Sequence, residues 1–545
     1  MQAGQQITLL AGRYFVGNLK LSTSGTETKP IQITGAPGET VVIDGAEPNP
    51  PVWKPVGGNG LYITTTSATN PNLVLADGVR LYPHQTLDDL VAHKITVGIK
   101  STGFARFDAV LDGFYRNPST NPILNKNWRS PNTLYVKFRD GTDPADKQMI
   151  ITSQRNGLTI AGQAHVQLRN LRFAHYGLAP APTALSLADC SNVLLEHCTF
   201  EHNDIGVAMQ GNCRNITVQG CEFYDSMKGW NAWKVKATYD NFVPYSSIFP
   251  YYARMLERGG LLYQHGFSGR GIVVRRCKFH DFAQAGHLGP ASMNQKYKDS
   301  YEIDFHNNTV WNCVEDGFEL DADARNVRVW HNVFHHCNAA ISMAVARGGP
   351  TYIVRNIFHS ITPDLFTIVP EDGLKTQPGH PFKTQTGDMN SRIGDVFFVH
   401  NTVDAPGESA GIELISPAQW KRFYARNNLV VVDRGPAVFV RSFAPYPVDL
   451  DYNGYFSKRG LFGSADRNTR DRLPSSQLRS LADFRRLGWE KHGVLGDPQF
   501  VNAREHDYRL QRGSRAIDRG VVIHGLNDGQ FHGRSPDLGA MEFRN

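Results

Sequence analysis

Gly317-Phe318-Glu319-Leu320-Asp321-Ala322-Asp323-Ala324-Arg325-Asn326-Val327-Arg328-Val329-Trp330-His331-Asn332-Val333-Phe334 holds one complete unit of a pattern that recurs along this 545-residue chain. The unit reads as a Gly, a short strand of alternating apolar residues, a turn, a second alternating strand, and a small residue two places before a bulky apolar anchor. The same order runs from Gly206-Val207-Ala208-Met209-Gln210 through Asn215-Ile216-Thr217-Val218 to Phe223, with Cys221 in the place of Asn332. Along the chain that place is taken by Cys198, Cys221, Cys277, Asn308, Asn332, Asn356, Asn401 and Asn427. Their anchors are Phe200, Phe223, Phe279, Val310, Phe334, Phe358, Val403 and Leu429. The spacing is about 24 residues wherever no insertion intervenes, and a fixed period of that size marks a repeat architecture.

Strands of four to six residues with no room for a helix cannot bury an apolar face alone, so successive units must stack. Stacked strands lie roughly 4.8 Å apart, and the expected product is an all-β parallel solenoid. Equivalent residues then fall above one another. An inward Asn at a bend bonds the backbone of its own turn and the amides of neighbouring coils, and Cys fits the same slot as a small buried hydrophobe.

The Asn-Val-x-Val and Asn-x-Phe turns resemble those of the right-handed parallel β-helix superfamily, across roughly residues 150 to 460. Lys29-Pro30-Ile31-Gln32-Ile33-Thr34-Gly35 and Val41-Val42-Ile43-Asp44-Gly45 look like the first coil of such proteins. The superfamily includes pectate and alginate lyases, glycoside hydrolases, uronan epimerases and phage tailspikes. Fold alone does not assign one of these activities.

The expected organisation is a first coil over residues 1–50, a small inserted β domain over 51–150, a β-helix over 151–460 and C-terminal coils with a cap over 461–545. Two excursions interrupt the β-helix, at 226–259 and 369–394. The first concentrates rings, Trp230 and Trp233 among them, and reads either as a local apolar plug or as the wall of a sugar cleft. The second is polar and reads as a loop beside a groove.

A net charge of +6 without any run of five or more Lys or Arg excludes the dense basic stripe of a nucleic-acid binder. No stretch approaches 18 consecutive apolar residues, so no membrane span is expected. The mildly basic balance suits an anionic polysaccharide or oligosaccharide partner. The opening Met1-Gln2-Ala3-Gly4-Gln5-Gln6 lacks a basic and apolar leader. With an exported superfamily in view, the expectation is a secreted or periplasmic monomer whose signal peptide has been removed. Seven Cys without a CxxC spacing fit stacked free thiols better than a disulfide framework or a zinc site.

The densest acidic cluster of the repeat is Glu315-Asp316-Gly317-Phe318-Glu319-Leu320-Asp321-Ala322-Asp323. Alternation sends Phe318 and Leu320 inward and places Glu319, Asp321 and Asp323 outward, where the neighbouring coils carry Ala208, Gln210, Ser342 and Ala344. Asp316 sits at the preceding bend. Carboxylates crowded in a groove favour a bound cation, a basic partner or a raised pKa.

Two chemistries are expected to compete. In a polysaccharide lyase, Ca2+ held by Asp316, Glu319 and Asp321 would neutralise a uronate, with Lys383, Arg347 or Lys296 as base; β-helix pectate lyases look like this. In a glycoside hydrolase, two carboxylates would act as acid and as nucleophile or base. Glu257 and Asp323 are candidate substrate contacts, Glu413 occupies a place like that of Glu319, and His287 is a candidate acid or base. A carbohydrate-binding β-helix without activity is the remaining alternative. The composition favours calcium-assisted β-elimination.

Overall fold

The computed structural model describes residues 1–68, 71, 73–84, 87–93, 95–99, 103–107, 113–116, 132–178, 182–225, 259–263, 269–282, 284–287, 301–320, 324–343, 348–360, 379–383, 393–407, 409–415, 420–441, 448–466 and 476–544. They fall into two compact units. One draws on Met1–Leu262 and Lys278–Gly286, the other on Tyr263–Cys277, His287–Asp364 and Pro370–Asn545. No helix among these residues is long and apolar enough to cross a membrane.

In the first unit parallel strands stack with their apolar residues in columns. Ile33 pairs with Leu168, Leu168 with Leu195, and Leu195 with Val218. A second column stacks Phe173, Phe200, Phe223 and Phe279, with ring centroids 5.3, 4.8 and 4.6 Å apart. These separations match the strand repeat, so each ring is the floor for the next. Ile31–Gly35 pairs directly with Ala164–Arg169 although more than a hundred residues lie between them. Between Val41–Asp44 and Asn156–Ala161, which belong to the coils, the intervening chain forms separate sheets, one of them joining Leu61–Thr66 to Asn132–Lys137. It has its own apolar cluster around Val74, Leu134, Val136 and Ile151.

In the second unit Phe305, Val329, Ile353, Phe398, Ala425 and Leu450 stand in register on consecutive strands. Beside them runs the Asn ladder. Asn332, Asn356, Asn401, Asn428 and Asn453 each accept the backbone N–H of the ladder residue one coil earlier, at 2.8–3.0 Å. Asn308 does the same for Cys277, 2.8 Å away. All seven Cys are free and buried.

The ladder departs from the sequence expectation at one step, because its member is Asn428 and not Asn427. Val403 pairs with Val430, so the anchor also moves, from Leu429 to Val430. Tandem asparagines make the spacing ambiguous by one, and strand pairing resolves it. Asn427 instead takes the left-handed bend at φ 58.

The C-terminal region divides. Asn453 gives its side-chain amide to Glu490, 2.8 Å away, and Tyr455 gives its hydroxyl, 2.6 Å away, which closes the ladder. Burial pushes the carboxyl of Glu490 up to about 7. The Asp-Leu-Gly-Ala stretch lies along the flank of the coils: Leu538 clusters with Leu429, and the N–H of Ala540 donates to the hydroxyl oxygen of Thr402, 2.9 Å away.

Candidate functional site

His287 and four strands of the second unit build the site: Thr309–Glu319, Val333–Ser342, His380–Lys383 and Ile412–Ile415. Their inward residues fix the register. Phe318 pairs with Ile341 and Ile341 with Phe382, all fully buried. The residue after each therefore stands outward, which lines up Glu319, Ser342 and Lys383 on three consecutive strands. Leu320 is buried as expected.

The outward row carries paired charges. His287 Nδ1 lies 2.9 Å from a carboxylate oxygen of Glu319, and both side chains are about one-sixth exposed, at 17% and 16%. Lys383 does not stop at its own row. Its Nζ reaches back to Asp316, 3.0 and 3.4 Å from the two carboxylate oxygens. Asp316 is fully buried, whereas Lys383 keeps 28% of its side chain exposed. The bend places Asp316 here because the pairing register shifts between Cys313 and Asp316, so the strand kinks before it. A third pair joins His380 to Glu413.

Sequence reasoning named His287, Asp316, Glu319 and Lys383, and the structure brings these four together. It also placed Lys383 and His380 in a loop. They lie on a strand that pairs with Val333–Ser342. The polar, Pro-containing context hid this strand, and its signal was Phe382 as an isolated inward anchor. The His380–Glu413 pair was missed because a 33-residue gap in sequence is closed only by the next coil. Asp321, Asp323, Arg347, Lys296, Trp230, Trp233 and Glu257 lie outside the described residues.

Of the residues expected to hold calcium, Asp316 already faces an ammonium and Glu319 an imidazole. A divalent ion at either would have to displace or repel that partner, and no three metal-ligating side chains converge among the described residues. Asp321, the third residue expected to hold calcium, lies outside the described residues.

A family model described as "Right handed beta helix region" matches residues 136–241 and 260–373. No curated protein matches the sequence significantly. Among solved structures, the complex structure of XylC with xylose aligns with 92% of this chain and 82% of its own at 14% identity, with a TM-score of 0.51. Pectate lyase Pel9A aligns with 100% and 89% at 12% identity and a TM-score of 0.44. PfbA, a surface adhesin of Streptococcus pneumoniae, aligns with 60% and 82% at 9% identity and a TM-score of 0.37. At such identities a likeness speaks for the fold alone. The stacked parallel strands and the Asn ladder make the described residues a parallel β-helix, and the right-handed β-helix family model matches its residues 136–241 and 260–373.

Proposed function

We propose that this protein is a carbohydrate-active enzyme that cleaves a uronate-containing polysaccharide by β-elimination, at the row of Glu319, Ser342 and Lys383. The observation that carries the reading is the pairing itself: an imidazole held by a carboxylate stands near an ammonium held by a buried carboxylate.

β-Elimination needs a base for the proton on C5 and a positive charge for the adjacent carboxylate, whose negative charge builds as that proton leaves. His287 supplies the base. Glu319 on its Nδ1 fixes tautomer and ring orientation, which makes Nε2 the basic nitrogen. Lys383 supplies the charge, anchored by Asp316 rather than by a metal ion. As the C5 proton passes to the imidazole, the C–H electrons form the C4–C5 double bond and the C4–O4 bond breaks. The leaving oxygen then takes a proton from the imidazolium or from water.

Hydrolysis fits the same row less well. A glycosidase needs one carboxyl to deliver a proton to the leaving oxygen, and Asp316, Glu319 and Glu413 each already face a basic group. The deciding experiment incubates the protein with uronate and neutral polysaccharides, following the absorbance of unsaturated product and the release of reducing ends. Both signals on a uronate polymer are expected. Reducing ends alone would replace elimination by hydrolysis, and neither signal on any polymer would leave a binding protein.

A further inference from the structure

A cavity of the same unit lies on the outer face of a different sheet. It encloses 610 Å³, within the range of about 300–1,000 Å³ usual for small-molecule sites. Its shape follows from the register. Outward positions on these strands carry tall side chains in one row, where Arg328 pairs with Tyr352 and Tyr352 with Phe397. In the adjacent row Trp330 pairs with Val354 and Val354 with Val399. A short valine beside a tryptophan and a wall of rings leaves a hollow. Residues Ile523 to Leu526 of the C-terminal segment line its other side.

The rings that form the hollow are not equally available. Tyr352 and Phe397 stack on each other with centroids 5.0 Å apart, so they present edges. Trp330 stacks one face on His306 at 4.1 Å, and its second face looks over Val354. An indole face above a short apolar floor suits the C–H face of a sugar ring.

The charge in the cavity has one sign. That charge comes from Arg328 and Arg355; His331, pushed toward its neutral form by burial and by Arg355, and His524 also line it, and no Asp or Glu does among the described residues. The acids that hold these groups, Asp304 on Arg328, Glu542 on Arg355 and Asp528 on His524, are not lining residues. Arg328 gives Nη2 to Asp304 at 2.6 Å, yet 42% of its side chain stays exposed on the cavity side of the strand. A planar guanidinium open to the cavity suits a carboxylate-bearing ligand, which it can meet with paired N–H groups.

We infer that this cavity is a second carbohydrate-binding site, for a uronate-bearing oligosaccharide whose ring stacks on Trp330 and whose carboxylate meets Arg328. Only the choice of a uronate over other anionic sugars rests on the proposed elimination. Binding here holds polymer to the protein at a place separate from the His287 and Glu319 row, without contributing to bond cleavage.

The test is calorimetric titration of the full chain carrying Glu319→Gln, so that the probe is not consumed, with trigalacturonate and with neutral cellotriose. The inference expects a trigalacturonate binding event that weakens at least tenfold in both Trp330→Ala and Val354→Phe, and that cellotriose does not reproduce. Val354→Phe fills the hollow without removing a contact, and an unchanged melting temperature confirms its folding. Isotherms unaffected by either substitution would overturn the site, and equal binding of cellotriose would overturn the uronate assignment. Cleavage assays on the otherwise wild-type chain separate this from the proposed function. Trp330→Ala should cleave as before, and its loss of cleavage would overturn the separation of the two sites; a wild-type chain that binds through Trp330 but cleaves no polymer would reject only the catalytic reading.

Discussion

Lys383 shares its register position with Glu319 yet gives its ammonium to Asp316, 3.0 Å away and fully buried. The pair is asymmetric, because only the lysine touches water. Removing the lysine strands a buried carboxylate, whereas removing the carboxylate leaves an ammonium that can turn to solvent. Lys383→Met is therefore expected to cost about 3 kcal/mol of stability and Asp316→Asn about 1 kcal/mol. Urea denaturation of both variants and of the double variant checks this, the double being more stable than Lys383→Met alone.

His287 and Glu319 should separate in kinetics. His287→Gln removes the base and is expected to lower kcat on a uronate polymer by a factor of about 100 to 10,000. Glu319→Gln leaves the imidazole in place without its charged orienting partner, so a smaller loss with an altered pH profile is expected. Equal, undiminished rates in both variants would remove these residues from the reaction.

The ladder end makes stability depend on pH. The carboxyl of Glu490 is raised to about 7 in the fold from an ordinary value near 4.5. A group raised on folding binds its proton more tightly in the native state, so its contribution is fully present below the ordinary value and is lost as pH rises through 7. Between pH 4.5 and 7.5 the wild-type chain should lose up to about 3 kcal/mol relative to Glu490→Gln, whose amide oxygen still accepts from the Asn453 side chain and the Tyr455 hydroxyl but does not titrate. Melting curves of both proteins across that range measure the difference.

The interior ladder should tolerate Cys better than Ala. Asn356 accepts from the backbone and side chain of Asn332 and donates to the carbonyl of Val329, at 2.9–3.0 Å, with no exposure to water. Asn356→Ala leaves several buried groups without partners and is expected to cost about 2–4 kcal/mol. Asn356→Cys should cost less, since Cys198, Cys221 and Cys277 serve at that position on other coils, where the Cys221 sulfur accepts the N–H of Cys198 at 3.4 Å. Chemical denaturation of the two variants gives the comparison.

A repeat writes its fold into the sequence because each coil solves the same packing problem, so Phe334 and Asn332 announce the places that Phe358 and Asn356 fill again. The period alone determined the parallel β-helix, the inward Phe318 and Leu320, the outward Glu319 and the free thiols. Where two asparagines stood together it missed the ladder by one residue, since spacing carries no information finer than its own variation. Side-chain partners lay beyond it altogether. Lys383 meets Asp316, and His380 meets Glu413, only because coils of unequal length bring distant residues to one strand spacing. The sequence by itself determined which residues point out of the coil. The tertiary structure decided which of them neutralise one another, because pairing depends on distances between coils that insertions conceal.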